Sequence, residues 1–281
     1  SIRWTVTGTA STIISTDSAF FQQRIEGFNS ADLSFGTANA KSVTISFWVK
    51  SSVTGTFGGA LANSAYNRGY SFSYTINSAN TWEYKTVTIT GDTTGTWVGA
   101  TNGVGLRLSF AVAAGSARGS TAGSWGAFVG IGVNGQTNLM ATNGATWQVT
   151  GVQLEVGTVA TSWDFRSYGT ELALCQRYYE SLYLANSTMA GSGGFIAMGV
   201  CENSTRAQPY YPFKVQKRAS PSVTLSAIGT FGLRSTSGSS TVCTSGNFGA
   251  PSNTYAQGEF NIGASNVTSG GAAWLTNHDG N

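Results

Sequence analysis

The chain offers few side chains for acid–base or nucleophilic catalysis. Its single histidine, His278, stands close to the end of the sequence, immediately before Asp279 and Gly280. A catalytic side chain has to be held rigidly by its surroundings, and we interpret His278 as part of a solvated tail. A serine or cysteine nucleophile would depend on this one imidazole as its base, and the count excludes a zinc site made of several histidines.

Paired carboxylates are the remaining catalytic option, because two of them suffice to hydrolyse a glycoside. The acids of residues 1–168 include Glu83, Asp92, Glu155 and Asp164, and no spacing marks two of them as a pair. Asp92 and the two threonines after it are a weak signal for calcium, which prefers clustered oxygen ligands. We expect structural roles for these acids. We predict a protein that is not an enzyme and has no catalytic residue, metal or cofactor.

The three cysteines, Cys175, Cys201 and Cys243, are widely spaced. No two of them lie at the short separations of a zinc or redox motif. We interpret them as buried free thiols of a protein that folds in a reducing compartment. One disulfide with one free thiol left over is the alternative.

Aromatic side chains are the main chemical resource of the chain, with 8 Trp, 11 Tyr and 15 Phe. The apolar C–H faces of sugars stack on aromatic rings, while amides and hydroxyls bond the sugar hydroxyls. The aromatics in polar or turn-rich surroundings are the predicted ligand-binding residues, namely Tyr66, Tyr70, Trp97 and Trp125. Packing in a core or at a subunit interface is the alternative role for each ring.

Charge is sparse and scattered. Lys and Arg number 15 against 12 Asp and Glu, and charged residues make up 10% of the chain. The densest basic group is Lys214, Lys217 and Arg218, whereas nucleic-acid-binding proteins usually carry a stripe of basic residues. No apolar run is as long as the roughly 18 residues of a membrane span. We therefore expect neither nucleic acid as a partner nor embedding in a membrane.

Apolar residues alternate with polar ones in the first half, which is the mark of half-buried strands. In residues 42–50 the odd-numbered apolar positions from Val43 to Val49 share one face, and Trp48 falls on the other. Similar runs are residues 82–89, 104–112 and 147–156. The last run changes phase at Gly151, as at a β-bulge. Turn clusters rich in Gly, Asn and Asp separate the runs, and the pattern predicts a β-sandwich.

Residues 170–180 break this alternation and have the period of a short helix. Four positions from Leu172 to Tyr179 fall on one helical face, and Ser167 or Thr170 is placed to cap the start. Leu174 and Tyr178 form a second apolar face. A subunit contact and packing between two domains would each explain the two faces.

The strand pattern resumes after this segment, although it is less regular. The candidate strands are residues 194–202, 211–217, 222–228, 241–244, 256–262 and 272–276. The predicted fold is therefore all-β, with a β-sandwich followed by a second, smaller β-sandwich-like domain, joined by a short helix or turn. We divide the chain into a first domain at residues 1–168, a connector at 169–180 and a C-terminal β domain at 181–281.

Several stretches resemble a domain of bacteriophage virion proteins, especially tail-fibre-like ones. The matching stretches are residues 23–27, 46–52, 80–97, 149–157, 165–179 and, more faintly, 213–221. The most specific part is 149–179, with Val149-Thr-Gly-Val-Gln-Leu-Glu and Leu172-Ala-Leu-Cys-Gln-Arg-Tyr-Tyr. The family more often has Met before the Arg that is Arg218 here, where this chain has Lys217. The resemblance implies a carbohydrate-binding-module-like jelly roll followed by a β domain with variable loops.

The resemblance also implies a function. Such chains resemble homotrimeric fibres on the tail or another external appendage of the virion, which are assembled in the host cytoplasm. We expect a receptor-binding protein that attaches to host cell-surface polysaccharide or lipopolysaccharide. We also expect contact with other virion proteins through a region preceding residue 1. A structural virion protein (a head fibre, capsid decoration or tail connector) is the first alternative, and a polysaccharide depolymerase is the second.

Overall fold

The computed structural model of the chain describes residues 1–10, 12–127, 130–181, 194–235 and 240–277. The chain divides into two compact units, Ser1–Asp164 and Phe165–Asn281. Strands dominate both units, and nearly all of their pairings are antiparallel. The all-β class predicted from the sequence is confirmed. His278 lies outside the described residues.

The first unit consists of strands and short 3-10 turns. Its strands are β1 (Ile2–Thr5), β2 (Ser18–Glu26), β3 (Val43–Ser51), β4 (Gly55–Ala62), β5 (Gly69–Ile76), β6 (Glu83–Ile89), β7 (Val104–Ala114), β8 (Gly119–Ser120), β9 (Trp125–Gly126), β10 (Gly132–Val133) and β11 (Thr146–Val156). Its 3-10 turns are Gly27–Asn29, Ala31–Leu33 and Leu139–Ala141. The four strands predicted from alternation correspond to β3, β6, β7 and β11.

Two sheets form this unit, one in the order β1-β11-β3-β6 and the other in the order β2-β7-β4-β5-β9. From β1 to β7 the chain changes sheet at every connection except the β4–β5 hairpin. The outermost partners are therefore distant in sequence, as in the pairing of β2 with β7. This order is the jelly roll, in which two Greek keys make a double sheet.

The core lies between the two sheets and follows the predicted alternation. The apolar side chains of β3 that face inward, from Val43 to Val49, are 0% exposed. Phe47 packs edge-on against Phe110 of the opposite sheet with ring centroids 4.9 Å apart. Trp147 is 0% exposed and donates its indole N–H to the Tyr74 hydroxyl at 3.2 Å. Burying each such side chain stabilises the fold by about 1.5–3 kcal/mol.

The bulge predicted in the last strand of the sandwich is present. The pairing of β11 with β3 shifts register between Thr150 and Gln153, and Gly151 has a φ of 58°. A side chain in this left-handed region is strained, so glycine suits the position. A Cβ on Gly151 would lie 3.4 Å from Trp48, whose ring is 46% exposed on the outer face of the sheet, as the alternation predicts.

The second unit begins with the helix α1 (Tyr168–Gln176). Its strands are β12 (Phe195–Cys201), β13 (Arg206–Pro212), β14 (Phe231–Ser235), β15 (Thr241–Gly249), β16 (Tyr255–Ile262) and β17 (Ala272–Asn277), with a 3-10 turn at Ile228–Thr230. The six strands close into a barrel of order β12-β13-β16-β15-β14-β17. The sequence predicted a sandwich-like domain here. The structure instead has a single sheet that closes on itself, so that every strand is paired on both sides.

Phe260 fills the centre of the barrel core. It is 0% exposed and packs against Phe231 and Phe248. Gly246 pairs with Phe260 across β15 and β16, and a Cβ there would lie 2.4 Å from the Phe260 ring. The ring therefore occupies the space that a side chain at position 246 would need.

Two of the strands predicted in the second half are wrong. Residues 222–228 form no strand, and the strand expected at 211–217 is β13, which begins at Arg206. Pro209 and Pro212 lie within β13. Because proline is depleted in strands, these two residues hid the start of the strand in the sequence. The sequence reading also missed β14, where Gly232 and Arg234 obscure the alternation.

The predicted helix is confirmed, and of the two predicted caps, Ser167 and Thr170, it is Ser167 that caps the start. The Ser167 side chain accepts a hydrogen bond from the Thr170 backbone N–H at 3.3 Å, as an N-cap does. The helix has no buried residue. Leu172 and Leu174 on its two apolar faces are 40% and 43% exposed. Within the described ranges no helix has the length and apolarity to cross a membrane.

Candidate functional site

Three of the four predicted ligand-binding aromatics meet in the first unit. The ring centroids of Trp97 and Trp125 are 5.5 Å apart at 89°, and those of Tyr70 and Trp125 are 5.4 Å apart. Phe35 joins them at 4.9 Å from Trp97 and 5.5 Å from Trp125. These edge-to-face contacts are the arrangement that aromatic rings prefer. We call these four residues the aromatic cluster.

Trp97 is positioned by the segment after β6, through the carboxylate of Asp92. Asp92 is 1% exposed and accepts two hydrogen bonds from Arg68, at 2.8 and 2.6 Å. It also accepts one from the Trp97 indole N–H at 3.1 Å. Planar Arg–carboxylate pairs of this kind are geometrically specific. Asp92 therefore fixes the ring of Trp97 at a set position.

Burial alone would raise the pKa of Asp92. The hydrogen bonds from Arg68, the Thr94 backbone N–H and Trp97 outweigh the burial and hold the pKa below its usual value. The carboxylate is thus charged at neutral pH and is occupied by protein donors. The calcium signal read from Asp92 and its threonines is explained by these contacts. Among the described residues no group of three His, Cys, Asp or Glu side chains is placed to hold a metal.

A close approach of two loops completes the support of Trp97. Gly36 has a φ of 82°, and its N–H donates to the Asp92 carbonyl at 2.7 Å. A Cβ on Gly36 would lie 2.8 Å from the Gly95 carbonyl oxygen and 3.0 Å from Trp97. Only glycine meets both the backbone conformation and this clearance without strain.

Trp125 is fixed separately, by strand pairing. It lies on β9 opposite Tyr70 of β5, and its indole N–H donates to the Thr90 carbonyl at 2.7 Å. The indole N–H groups of both tryptophans are therefore used inside the protein. The two tryptophans can therefore bind a ligand only through the apolar surface of their rings.

A cavity of about 360 Å³ opens beside Trp97. Its apolar wall includes Phe35, Trp97 and Leu106, and its polar wall includes Ser34, Thr37 and Asn39. The volume lies at the lower end of the range for small-molecule sites. Apolar ring surface beside neutral hydroxyl and amide groups matches the two kinds of surface on a sugar.

Tyr66, the fourth predicted residue, is not part of the aromatic cluster. The guanidinium carbon of Arg107 lies 4.3 Å from the centroid of its ring, in a cation–π contact. The Tyr66 hydroxyl exchanges hydrogen bonds with the Gln22 side chain at 2.8 and 3.0 Å. Tyr66 therefore holds Arg107 and Gln22 in place. The prediction that Tyr66 binds a ligand stays a prediction, at a place separate from the aromatic cluster.

Two further acids of the first unit, Glu83 and Glu155, make structural contacts. Glu83 accepts from Lys85 and from the backbone N–H groups of Asn77 and Ser78, and its bond to Lys85 is the main cause that lowers its pKa to about 2. Glu155 accepts from Thr161, whose hydrogen bonds lower its pKa. Each carboxylate is kept ionised, whereas a general acid needs a raised pKa.

The three cysteines are free thiols. Cys201 and Cys243 are buried, as expected, but Cys175 on α1 is exposed. Burial raises the pKa of both buried thiols, that of Cys243 to about 12. These two groups are unreactive because the thiolate is the reactive form.

Sequence reasoning missed the residues that support the candidate site. Phe35 and Arg68 lie far from Trp97 in the sequence, and neither carries a motif. Arg107 is an ordinary polar position in the alternating strand β7, and the sequence did not single it out. Comparison with known protein families and with curated proteins finds no match to this chain.

Proposed function

We propose that this protein is a fibre or receptor-binding protein on the outside of a bacteriophage particle, which attaches to glycan on the host surface. The observation that carries the proposal is the cavity beside Trp97, where aromatic and neutral polar side chains line one space. The resemblance of residues 149–179 to phage fibre proteins supplies the biological setting. The jelly roll holds the site, and the site has no catalytic role.

A site of this kind binds weakly by itself. The cavity is small, and the indole N–H groups of Trp97 and Trp125 are already used. Several linked copies raise the overall affinity because each further contact becomes intramolecular. A repetitive polysaccharide or lipopolysaccharide on the host cell is a partner that many copies can bind at once.

A homotrimer is the assembly we propose. Isolated helices shorter than about 12–15 residues are marginal in water, and α1 has 9 residues with none buried. Apolar side chains on two faces of α1 need cover from two directions. In a ring of three copies each helix lies between two neighbouring subunits. Copies of the same chain then cover both of its faces.

The second candidate is a structural virion protein, and one observation favours it. The rings of the aromatic cluster pack edge-to-face against each other, and their N–H groups are satisfied internally, as in a purely structural cluster. Under this alternative the cavity has no ligand and the isolated protein does not bind host cells.

Binding of the fluorescently labelled protein to host cells separates the two candidates. We expect saturable binding that excess extracted surface polysaccharide abolishes, and Trp97→Ala should weaken it at least tenfold. Trp48→Ala is the matched control, because Trp48 is an exposed tryptophan on the other sheet. Absence of binding by the folded oligomer would support the structural alternative. Release of reducing ends from the polysaccharide would instead identify a depolymerase.

A further inference from the structure

Two arginines stand directly opposite each other on the outer face of the β2–β7 ladder. Arg24 pairs with Arg107, while their neighbours Ile25 and Leu106 pair on the core side. Residues paired in this way have Cβ atoms about 4.5–5.5 Å apart, and like charges at such positions are destabilising. The pairing of these two positive charges therefore destabilises the folded protein unless an anion lies between the guanidinium groups.

No carboxylate of the described residues forms an ion pair with either arginine. The acid nearest along β2 is Glu26, which is 4% exposed and has partners of its own. Arg68, another arginine of the first unit, is by contrast ion-paired with Asp92. The described part of the protein thus leaves two adjacent positive charges uncompensated on one sheet face.

The guanidinium of Arg107 is held in place by protein contacts. It donates to the Gln22 side-chain oxygen at 3.0 Å and to the Ser64 carbonyl at 3.4 Å, and its guanidinium carbon lies 4.3 Å from the centroid of the Tyr66 ring. Its Nε atom is buried. A guanidinium has five N–H donors, so one N–H on each terminal nitrogen is left for a ligand. Arg24 is exposed, and its guanidinium makes no hydrogen bond or ion pair with the described residues.

Tyr66 adds a second unusual feature at the same place. Its φ is 56°, a left-handed conformation that is unfavourable for a non-glycine residue. Backbone strain of this kind concentrates at binding sites and other functional positions. Here the strained residue is the one that stacks on Arg107 and bonds Gln22. The arrangement keeps Arg107 preorganised, which lowers the entropic cost of binding a ligand.

We propose that Arg24 and Arg107 bind an anionic group, carboxylate or phosphate, on a sugar of the glycan. The site adjoins the cavity, because Gly105 lines the cavity and precedes Arg107 by two positions on β7. Two residues of a strand span about 7 Å, so neighbouring sugars of one chain reach both places. This inference rests on the proposed function and narrows it to an acidic glycan.

The test is titration of the purified full chain with defined sugars by calorimetry. The probes are a galacturonic acid trimer, glucose 6-phosphate and their neutral counterparts, a galactose trimer and glucose. We expect one acidic probe to bind at least tenfold more tightly than its neutral counterpart, with an affinity that falls as salt rises. The probe that binds identifies carboxylate or phosphate as the group recognised.

Arg24→Gln and Arg107→Gln should each weaken binding of the acidic probe about tenfold, while Arg3→Gln on the exposed edge of β1 should not. The inference is overturned if acidic and neutral sugars bind alike, if neither acidic probe binds, or if both arginine variants bind as the parent does. Host-cell binding that survives both arginine variants but not Trp97→Ala would also overturn it and would leave the proposed function standing. Failure of every variant and the parent to bind cells would count against the function itself.

Discussion

The ammonium group of Lys217 lies 2.7 Å from the carboxylate of Glu180, and the two side chains are 4% and 6% exposed. Lys217 also donates to the Gln176 carbonyl at the end of α1 at 2.5 Å, and the Tyr211 hydroxyl donates to Glu180 at 2.5 Å. The segment that follows the helix is therefore tied to the barrel by a buried ion pair.

Removing one partner of this pair should be strongly destabilising. Lys217→Met leaves Glu180 charged and buried, and we expect a loss of roughly 3–5 kcal/mol in the free energy of unfolding. Urea titration followed by circular dichroism measures the loss. The control is the double variant Lys217→Met with Glu180→Gln, which removes both charges and should recover most of the stability. Equal losses in the single and double variants would show that the ion pair has no such role.

The stability of the protein should fall in acid. Burial raises the pKa of Glu180, but bonds from Lys217, Tyr211 and the Lys214 N–H outweigh it and leave the pKa below its usual value; Asp92 behaves likewise. A lowered pKa means that the ionised form stabilises the folded state above the unfolded pKa, near 4. That contribution is lost as the pH falls through the folded pKa.

Thermal unfolding measured from pH 6 down to pH 2 tests this expectation. The melting temperature should decline once the pH is below about 4. The variant with Lys217→Met and Glu180→Gln has one fewer titrating group and should decline less steeply. An identical decline in the two proteins would assign the acid sensitivity to Asp92 or to other carboxylates.

Gly36→Ala should disturb the candidate site more than an ordinary glycine substitution does. The new Cβ would lie 2.8 Å from the Gly95 carbonyl, at a φ of 82°. We expect a loss of about 1–3 kcal/mol, together with a change in Trp97 fluorescence. Gly8→Ala is the matched control, because a Cβ at position 8 has nothing within 4 Å. Similar effects of the two substitutions would contradict the close-approach argument.

Thiol reactivity should separate the three cysteines. Burial raises the pKa of Cys201 and raises that of Cys243 to about 12, so neither forms thiolate at neutral pH. The Cys175→Ser variant should therefore not react with a thiol reagent such as Ellman's reagent until it is unfolded, when two thiols per chain become reactive. Rapid labelling of the folded variant would show that Cys201 or Cys243 is accessible.

The proposed homotrimer depends on the apolar faces of α1. Leu172→Ser combined with Leu174→Ser should shift the protein towards monomer, because both exposed leucines of the helix lose their apolar surface. Size-exclusion chromatography with light scattering measures the change. Ile14→Ser is the control, since Ile14 is 63% exposed in the first unit. A trimer that persists in the double variant would place the subunit contacts elsewhere.

The sequence by itself determined the class of the fold and several of its parts. Alternation from Val43 to Val49 predicted a strand with one buried face, the phase change at Gly151 predicted the bulge, and Ser167 predicted the cap of α1. These features depend on residues close together in the chain. Side-chain direction in a strand and hydrogen bonding at a helix start follow local rules.

Only the tertiary structure decided which residues act together. Trp97, Trp125 and Tyr70 share a cluster with Phe35, whereas Tyr66 stacks on Arg107. Arg24 stands opposite Arg107 because β2 pairs with β7 across more than 80 positions of sequence. Lys217 is buried because Glu180 meets it. Such contacts depend on the order of strands in a sheet and on loop packing, and the local pattern of polar and apolar residues carries no information about which distant strand becomes a neighbour.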